Sequence, residues 1–456
     1  VKMMSKNSVR EVALDIVTRV GHQGGFSHLL INKTIQQKGL SHKDTALLTE
    51  MVYGTIQRKD TLDYFLSPYI HNKKKLKPWV LWLLYMSCYQ MVYLDRVPDH
   101  AVIHEAVEIA KKRGHKGIVS MVNGVLRNLQ RKGPASLEEI AEPMQRLAIE
   151  TSHPLWLVNR WVEMYGMDET ARMCYKNLER SMMTVRVNTT RTTREEVIKH
   201  LTDDGFKVAP TTLSEQGIVI HEGNIIQHPL FQEGALTVQD ESSMLVGEMM
   251  DVQEEMNVLD ACSAPGGKST HIAEKMNNTG AVHAYDLHAK KVALVKQKAE
   301  QLGLTTIKTA ASDARMLPQQ YDEHTFDRIL LDAPCSGLGV VRGKPDIKYA
   351  KSEDDVIKLA NIQLQLLQSV SRLLKKNGKL IYSTCTVDRK ENEEVVASFL
   401  REHPEYEVDP SFFTDLPKET NGLVGLSQWG LQLFPHDFDS DGFFLTRLQR
   451  KDGHHG

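Results

Sequence analysis

From residue 257 onward, short apolar runs alternate with longer helix-forming stretches, and this alternation restricts the fold more than any other feature of the chain. The runs cover 257–259, 281–285, 306–309, 328–331 and 379–382, with amphipathic stretches at 268–275, 289–302, 353–374 and 391–400. Apolar runs of this length read as strands covered on both faces, and intervening helices supply the crossovers that parallel strands require. The expected architecture is a doubly wound α/β sheet, with a last strand at 442–448 closing it. In such sheets ligands lie beyond the carboxyl ends of the strands, so the residues just after each run carry the functional signal.

The first run leads into DACSAPGGKST, residues 260–270, a glycine-containing turn that opens a helix and brings backbone N–H groups close to a ligand. Cys262, Ser263, Ala264, Pro265, Gly266, Gly267 and Lys268 form this candidate cofactor turn. It lacks the G-x-G-x-x-G spacing of dinucleotide enzymes. Asp286 ends the second run, where a carboxylate can accept both ribose hydroxyls, and Asp313 follows the third, placed to meet an adenine edge. Each aspartate alone reads as a helix cap or turn residue; three in register beyond successive strands read as a nucleoside pocket. No phosphate-cradling lysine motif accompanies them, so the nucleoside need carry no triphosphate, and S-adenosylmethionine fits. Lys268 sits in a first helical turn, where the macrodipole disfavours a cation. Either Asp332 or a substrate phosphate could compensate it; the alternative is an exposed lysine.

The fourth run ends in DAPCSG (332–337) and the fifth in STCT (383–386), which brings Asp332, Cys335 and Cys385 to one crevice. Two thiols and a carboxylate beside a bound ligand point to nucleophilic chemistry. The five cysteines include no C-x-x-C pair and no zinc spacing, so neither a disulfide scaffold nor a metal site is expected. Cys88 and Cys174 read as inert core residues, and Cys262 as packing within its loop.

Residues 1–133 hold 21 Lys and Arg against 10 Asp and Glu, plus eleven, which leaves minus thirteen for the remainder of a chain whose net charge is −2. Helical periodicity runs through Val9–Val20, Leu47–Ile56, the stretch opened by Pro78, Ala101–Ala110 and Ile118–Leu129, with no strand signal between. Basic clusters at Lys73–Lys75 with Lys77, at Lys111–Arg113 with Lys116, and at Arg127 with Arg131 and Lys132 suggest a polyanion partner. The apolar stretch 79–94 is too short to span a membrane and reads as a core helix. Residues 133–136 read as a linker. Beyond it come two short helices (154–165, 167–178), strands at 183–188 and 217–220, and a helix at 193–201, which together suggest a small α+β domain. Its Arg186, Arg191 and Arg194 are candidate phosphate contacts. No secretion leader is seen, and a cytoplasmic protein is expected.

The opening REVALDIVTRV and the run VPDHAVIHEAVEIAKKRGHKGIVSMVNGVLRN resemble the antitermination factor NusB, which implies a helical RNA-binding accessory. DACSAPGGKST, LLDAPCSGLGVVRGKPDIKY, YSTCTVDRKENE and the terminal DGFF resemble the RsmB/Sun family of ribosomal RNA cytosine carbon-5 methyltransferases. One departure is RGKPD at 342–346, where relatives often carry a second arginine and a histidine. The resemblance implies three domains: a NusB-like all-α bundle (1–133), a small α+β domain (137–234) and a Rossmann-like class I methyltransferase domain (235–450). It further implies S-adenosylmethionine as cofactor, small-subunit ribosomal RNA as partner, a monomer, and Cys385 as nucleophile with Cys335 assisting product release. In DNA cytosine methyltransferases the Pro-Cys of the equivalent strand attacks instead, and the residues alone leave open which thiol ionises first. Two other readings stand beside this one: an RNA-binding assembly factor with an inactive methyltransferase-like domain, and a DNA cytosine methyltransferase.

Overall fold

A computed structural model describes residues 8–24 and 26–453; the first seven residues of the N-terminal stretch lie outside the described residues. The chain divides into two compact units, one running to Glu179 and including Val341–Ala350, the other holding Arg180–Val340 and the chain from Lys351 onward.

The first unit is all helical among its described residues. The expected core helix is Pro78–Tyr93, opened by a proline at its first position, where the missing N–H costs nothing. Val80, Trp82, Leu83, Leu84 and Met86 are buried, each worth about 1.5–3 kcal/mol relative to exposure. Helices Val9–Gln23 and His42–Gln57 pack on it through two glycines. A β-carbon at Gly21 would lie 2.0 Å from the Trp82 ring, and one at Gly54 2.0 Å from Tyr89. Helices Asp99–Arg113 and Lys116–Lys132 complete the expected set, and Ser27–Lys38, Lys59–Leu66 and Pro143–Thr151 are additional. The two short helices expected beyond the linker form Leu155–Lys176, broken at Gly166, whose φ of 84° few other residues adopt.

Val341–Ala350, which contains the atypical RGKPD stretch, is built into this helical unit. Asp346 accepts a hydrogen bond from Ser27 Oγ (2.6 Å), Lys348 Nζ donates to the Gln57 carbonyl (2.8 Å), and the Tyr349 hydroxyl is 2.6 Å from that of Ser152. Lys348 is fully buried, and burial pulls its ammonium down to about 7.

The second unit contains two sheets. The smaller comprises β1 (Met183–Val187), β2 (Lys207–Pro210), β3 (Gly217–Glu222) and β4 (Leu236–Val238) in the antiparallel order β2-β3-β1-β4, with helix Arg194–Asp203 packed on it. Of the three candidate phosphate-contacting arginines, Arg186 is buried, whereas Arg191 is exposed and Arg194 half-buried. Arg186 is fully buried and pairs with Glu274 (2.8 Å), Arg191 donates to the Glu233 carbonyl, and Arg194 to that of Ser214 (2.9 Å). A guanidinium leaves water for the interior only when its donors are satisfied, and Arg186 donates to Glu274, Gln239, Thr270 and the Gly267 carbonyl.

The larger sheet contains β5 (Asn257–Asp260), β6 (Ala281–Asp286), β7 (Ile307–Ala311), β8 (Phe326–Asp332), β9 (Leu374–Thr384), β10 (Tyr406–Val408), β11 (Leu426–Ser427), β12 (Gly430–Leu433) and β13 (Phe443–Arg450). Its order is β11-β12-β13-β9-β8-β5-β6-β7, with β10 paired to β13. The central pairs β6–β5–β8–β9 are parallel, as the alternation requires. The 442–448 strand does not close the sheet: it runs antiparallel between β9 and β12, and the hairpin β11–β12 lies beyond it. The last expected helix begins later than expected, at Glu393, because Glu391 and Asn392 turn inward and are buried.

Candidate active site

The crevice beyond β5, β6, β8 and β9 collects the residues singled out at the strand ends. Parallel pairing sets Asp332 opposite Ser383, so the turns after β8 and β9 leave the sheet at the same level. That places Cys335 Sγ 3.3 Å from Cys385 Sγ. The Cys335 thiol is pushed well above its usual range, first by its hydrogen bond to Cys385 and then by burial.

Asp332 is held on both oxygens. Its Oδ1 accepts from Ser383 Oγ (2.9 Å), and its Oδ2 pairs with Lys268 Nζ at 2.8 Å. Of the compensating anions considered for Lys268, Asp332 is the one present. Burial pulls the Lys268 ammonium down, but Asp332, and more weakly Cys385 and Asp260, outweigh it and hold the charge. Asp260 is buried beneath this pair and accepts from Ser269 Oγ (2.5 Å); burial pushes its carboxyl up to about 7.

The cofactor turn lies alongside. Gly266 takes φ 103°, and a β-carbon there would press on the Val295 backbone at 3.0 Å, so glycine lets the turn pass under the helix that follows β6. Helix Gly267–Lys275 then starts without a side-chain cap, leaving its first N–H groups for a ligand. Asp286 Oδ2 accepts from the Ala264 N–H (3.2 Å) and Oδ1 from that of His288 (3.4 Å), which fixes the carboxylate at the tip of β6. A cavity lined by Cys262, Ser263, Ala264, Pro265, Gly267, Lys268, Asp260 and Asp332 opens between the turn and β8. Asp286 and Asp313 do not line this cavity. Asp313 caps the following 3-10 turn through the Arg315 N–H (2.9 Å) and pairs with the Arg315 side chain (2.7 Å). Cys262 packs within its loop, and burial pushes its thiol well above the usual range. Cys88 and Cys174 are buried in the helical unit, each pushed up to about 12. Among the described residues no cluster of His, Cys, Asp and Glu could hold a metal.

Two residues at this site are not evident from the sequence. Glu391 accepts from the Ser336 N–H (2.8 Å) and hydroxyl (2.6 Å), and Asn392 accepts from Thr384 Oγ1 (2.5 Å). Their signal is ENEE shortly after the second cysteine, four polar residues that read as an exposed helix start.

Comparison with known proteins gives the family. Residues 248–449 match the family described as 16S rRNA methyltransferase RsmB/F, residues 7–131 the NusB family, and residues 153–227 the ferredoxin-like domain of RsmF/B-like methyltransferases. A Bacillus subtilis protein named "Probable ribosomal RNA small subunit methyltransferase B" is 47% identical over 98% of this chain and 100% of its own. The "Ribosomal RNA small subunit methyltransferase B" of Yersinia pseudotuberculosis is 31% identical over 98% and 100%. The crystal structure of a "Methyltransferase Homolog Protein" from Pyrococcus horikoshii superposes with a TM-score of 0.60 at 25% identity, covering 68% of this chain and 100% of that one. Full-length identity at this level shows that the chain belongs to the S-adenosylmethionine-dependent ribosomal RNA small subunit methyltransferase B family.

Proposed function

We propose that the chain transfers a methyl group from S-adenosylmethionine to carbon 5 of a cytosine in small-subunit ribosomal RNA, through a covalent cysteine adduct at carbon 6. The carrying observation is the pair of thiols 3.3 Å apart beside the Asp332–Lys268 pair and the cofactor turn. Carbon 5 of cytosine is not nucleophilic until something adds to carbon 6. A thiolate at Cys385 can add there, favoured by the charge of Lys268 nearby. Asp332, protonated, donates to N3 and draws electrons from the ring as sulfur attacks, which leaves carbon 5 enamine-like. Lys268, 2.8 Å from that carboxyl, keeps its charge and holds the group in place beside the base. The cofactor supplies an electrophilic methyl on sulfur. A base must then take the carbon-5 proton so that its bonding electrons re-form the ring double bond and expel the Cys385 thiolate, and Cys335, in contact with that sulfur, assists this release. The target base must leave its stack, because neither thiol reaches carbon 6 inside a duplex.

We read the chain as divided at 1–133, 137–234 and 235–450, with the NusB-like part gripping RNA and the last part performing chemistry in the cytoplasm as a monomer. The experiment is methyl transfer from labelled S-adenosylmethionine to total RNA and total DNA, followed by nucleoside analysis. Label in 5-methylcytidine from small-subunit RNA is expected. Label in deoxycytidine, in another base, or in nothing at all removes this reading.

A further inference from the structure

The turn that carries Cys335 is held by Glu391, with Gln363 as a bridge, and the turn that carries Cys385 is held on both sides by the adjacent Asn392. Glu391 is fully buried, and its Oε1 accepts from the Ser336 N–H at 2.8 Å while its Oε2 accepts from Ser336 Oγ at 2.6 Å. Gln363 Nε2 bridges the other side, donating to Glu391 Oε1 (3.1 Å) and to the Pro334 carbonyl (2.9 Å). Ser336, after Cys335, is thus tied to the carboxylate directly, and Pro334, before it, through Gln363. Asn392 does the same for Cys385: its Oδ1 accepts from Thr384 Oγ1 (2.5 Å) and its Nδ2 donates to the Thr386 carbonyl (3.0 Å). A contact of 2.9 Å between the Ser336 and Thr386 hydroxyls ties the two turns to each other.

A carboxyl placed in the interior among neutral donors is costly, since burial disfavours its charge and nothing of opposite sign repays it. Burial pushes the Glu391 carboxyl up from its ordinary range against the Ser336 and Gln363 donors. A fold needing only filled space would do better with an apolar residue there. What Glu391 adds over such a residue is direction: three acceptor contacts fix a turn whose thiol must meet its partner's sulfur within a fraction of an ångström.

We propose that Glu391 and Asn392 are a paired positioning device, Glu391 orienting Cys335 for release and Asn392 orienting Cys385 for attack. The proposal rests on the thiol roles given above. It is tested in the full chain by comparing Glu391→Ala, Glu391→Gln and Asn392→Ala with Cys335→Ala and Cys385→Ala, using small-subunit RNA and S-adenosylmethionine. Turnover is measured, covalent protein–RNA species are read on a denaturing gel, and cofactor affinity is read by calorimetry. Misplacement of a reacting group by about 1 Å can cost on the order of 100-fold, so turnover is expected to fall about 10- to 100-fold in both alanine variants, with cofactor affinity held within about twofold. Glu391→Ala should accumulate the covalent species as Cys335→Ala does, Asn392→Ala should lose it as Cys385→Ala does, and Glu391→Gln should recover most of the turnover. Should an alanine variant not fold, Ser336→Ala and Thr384→Val, which each remove one donor to the device, decide the matter in the same directions. Unchanged turnover, or the same adduct behaviour in both variants, overturns the proposal. If the two cysteine variants themselves exchange behaviours, the thiol roles are wrong, and the device is still judged by whether each variant follows its own thiol.

Discussion

Asp286 holds the N–H groups of Ala264 and His288, so it shapes the turn after β5, and the proposed function gives it a ribose to bind as well. Charge-assisted hydrogen bonds of this kind contribute roughly 1.5–3 kcal/mol, so Asp286→Ala is expected to weaken S-adenosylmethionine binding by more than about tenfold. Calorimetry checks this, and an unchanged affinity removes Asp286 from the pocket. The strand-end residues are legible in the sequence because their position follows from chain topology alone: a carboxylate or thiol just after a buried parallel strand has one side of the sheet to face. The pairing of Asp313 with Arg315, two residues on, is not legible in the same way. Arg186 departs from expectation for a related reason. Its partner Glu274 is 88 residues away, and nothing local in MTVRV distinguishes a buried guanidinium from an exposed one.

At the level of elements, long periodic segments announce themselves and short edge pieces do not. Strands β2, β4, β11 and β12 have two to four residues each, too few to show a two-residue period against their surroundings. The segment Val341–Ala350 is the least legible, since its place in the helical unit depends on Ser27, Gln57 and Ser152, far away in sequence. It carries its own prediction through Lys348. The unfolded lysine takes up a proton below 10.5, whereas the buried one does so only below about 7. Between those values the unfolded chain binds more protons, so this residue's contribution to stability rises with pH from about 7 toward 10 and is unfavourable below. Lys348→Met should abolish that rise, so that the wild type gains melting temperature relative to the variant between pH 7 and pH 9. Parallel melting curves across this range would mean that Lys348 stays charged in the fold.

For the whole molecule, the charge asymmetry is the feature with the longest reach. A basic N-terminal part on a nearly neutral chain concentrates attraction for a polyanion at one end. Some of that charge is neutralised internally: Lys73 pairs with Asp63, and Lys112 and Arg113 with Glu11. Lys74, Lys75 and Lys77 are exposed on the same stretch. Removing one lysine–phosphate pairing lowers the log–log salt slope of binding by about 0.7–0.9, so replacing these three lysines by glutamine should flatten the slope by up to about two units. An unaltered slope would make them a solvated face. No helix among the described residues is long and apolar enough to cross a membrane.

The central claim is that the Cys385 sulfur forms the bond to carbon 6, and it can be read directly. Small-subunit RNA transcribed with 5-fluorocytidine replaces the proton that must leave carbon 5 by fluorine, so methyl transfer proceeds but elimination cannot follow. Incubation with the wild-type protein and S-adenosylmethionine, then protease digestion and mass spectrometry of the nucleotide-bearing peptide, identifies the attached residue. The account predicts a methylated fluorocytidine on Cys385; attachment at Cys335, or no covalent product, contradicts it.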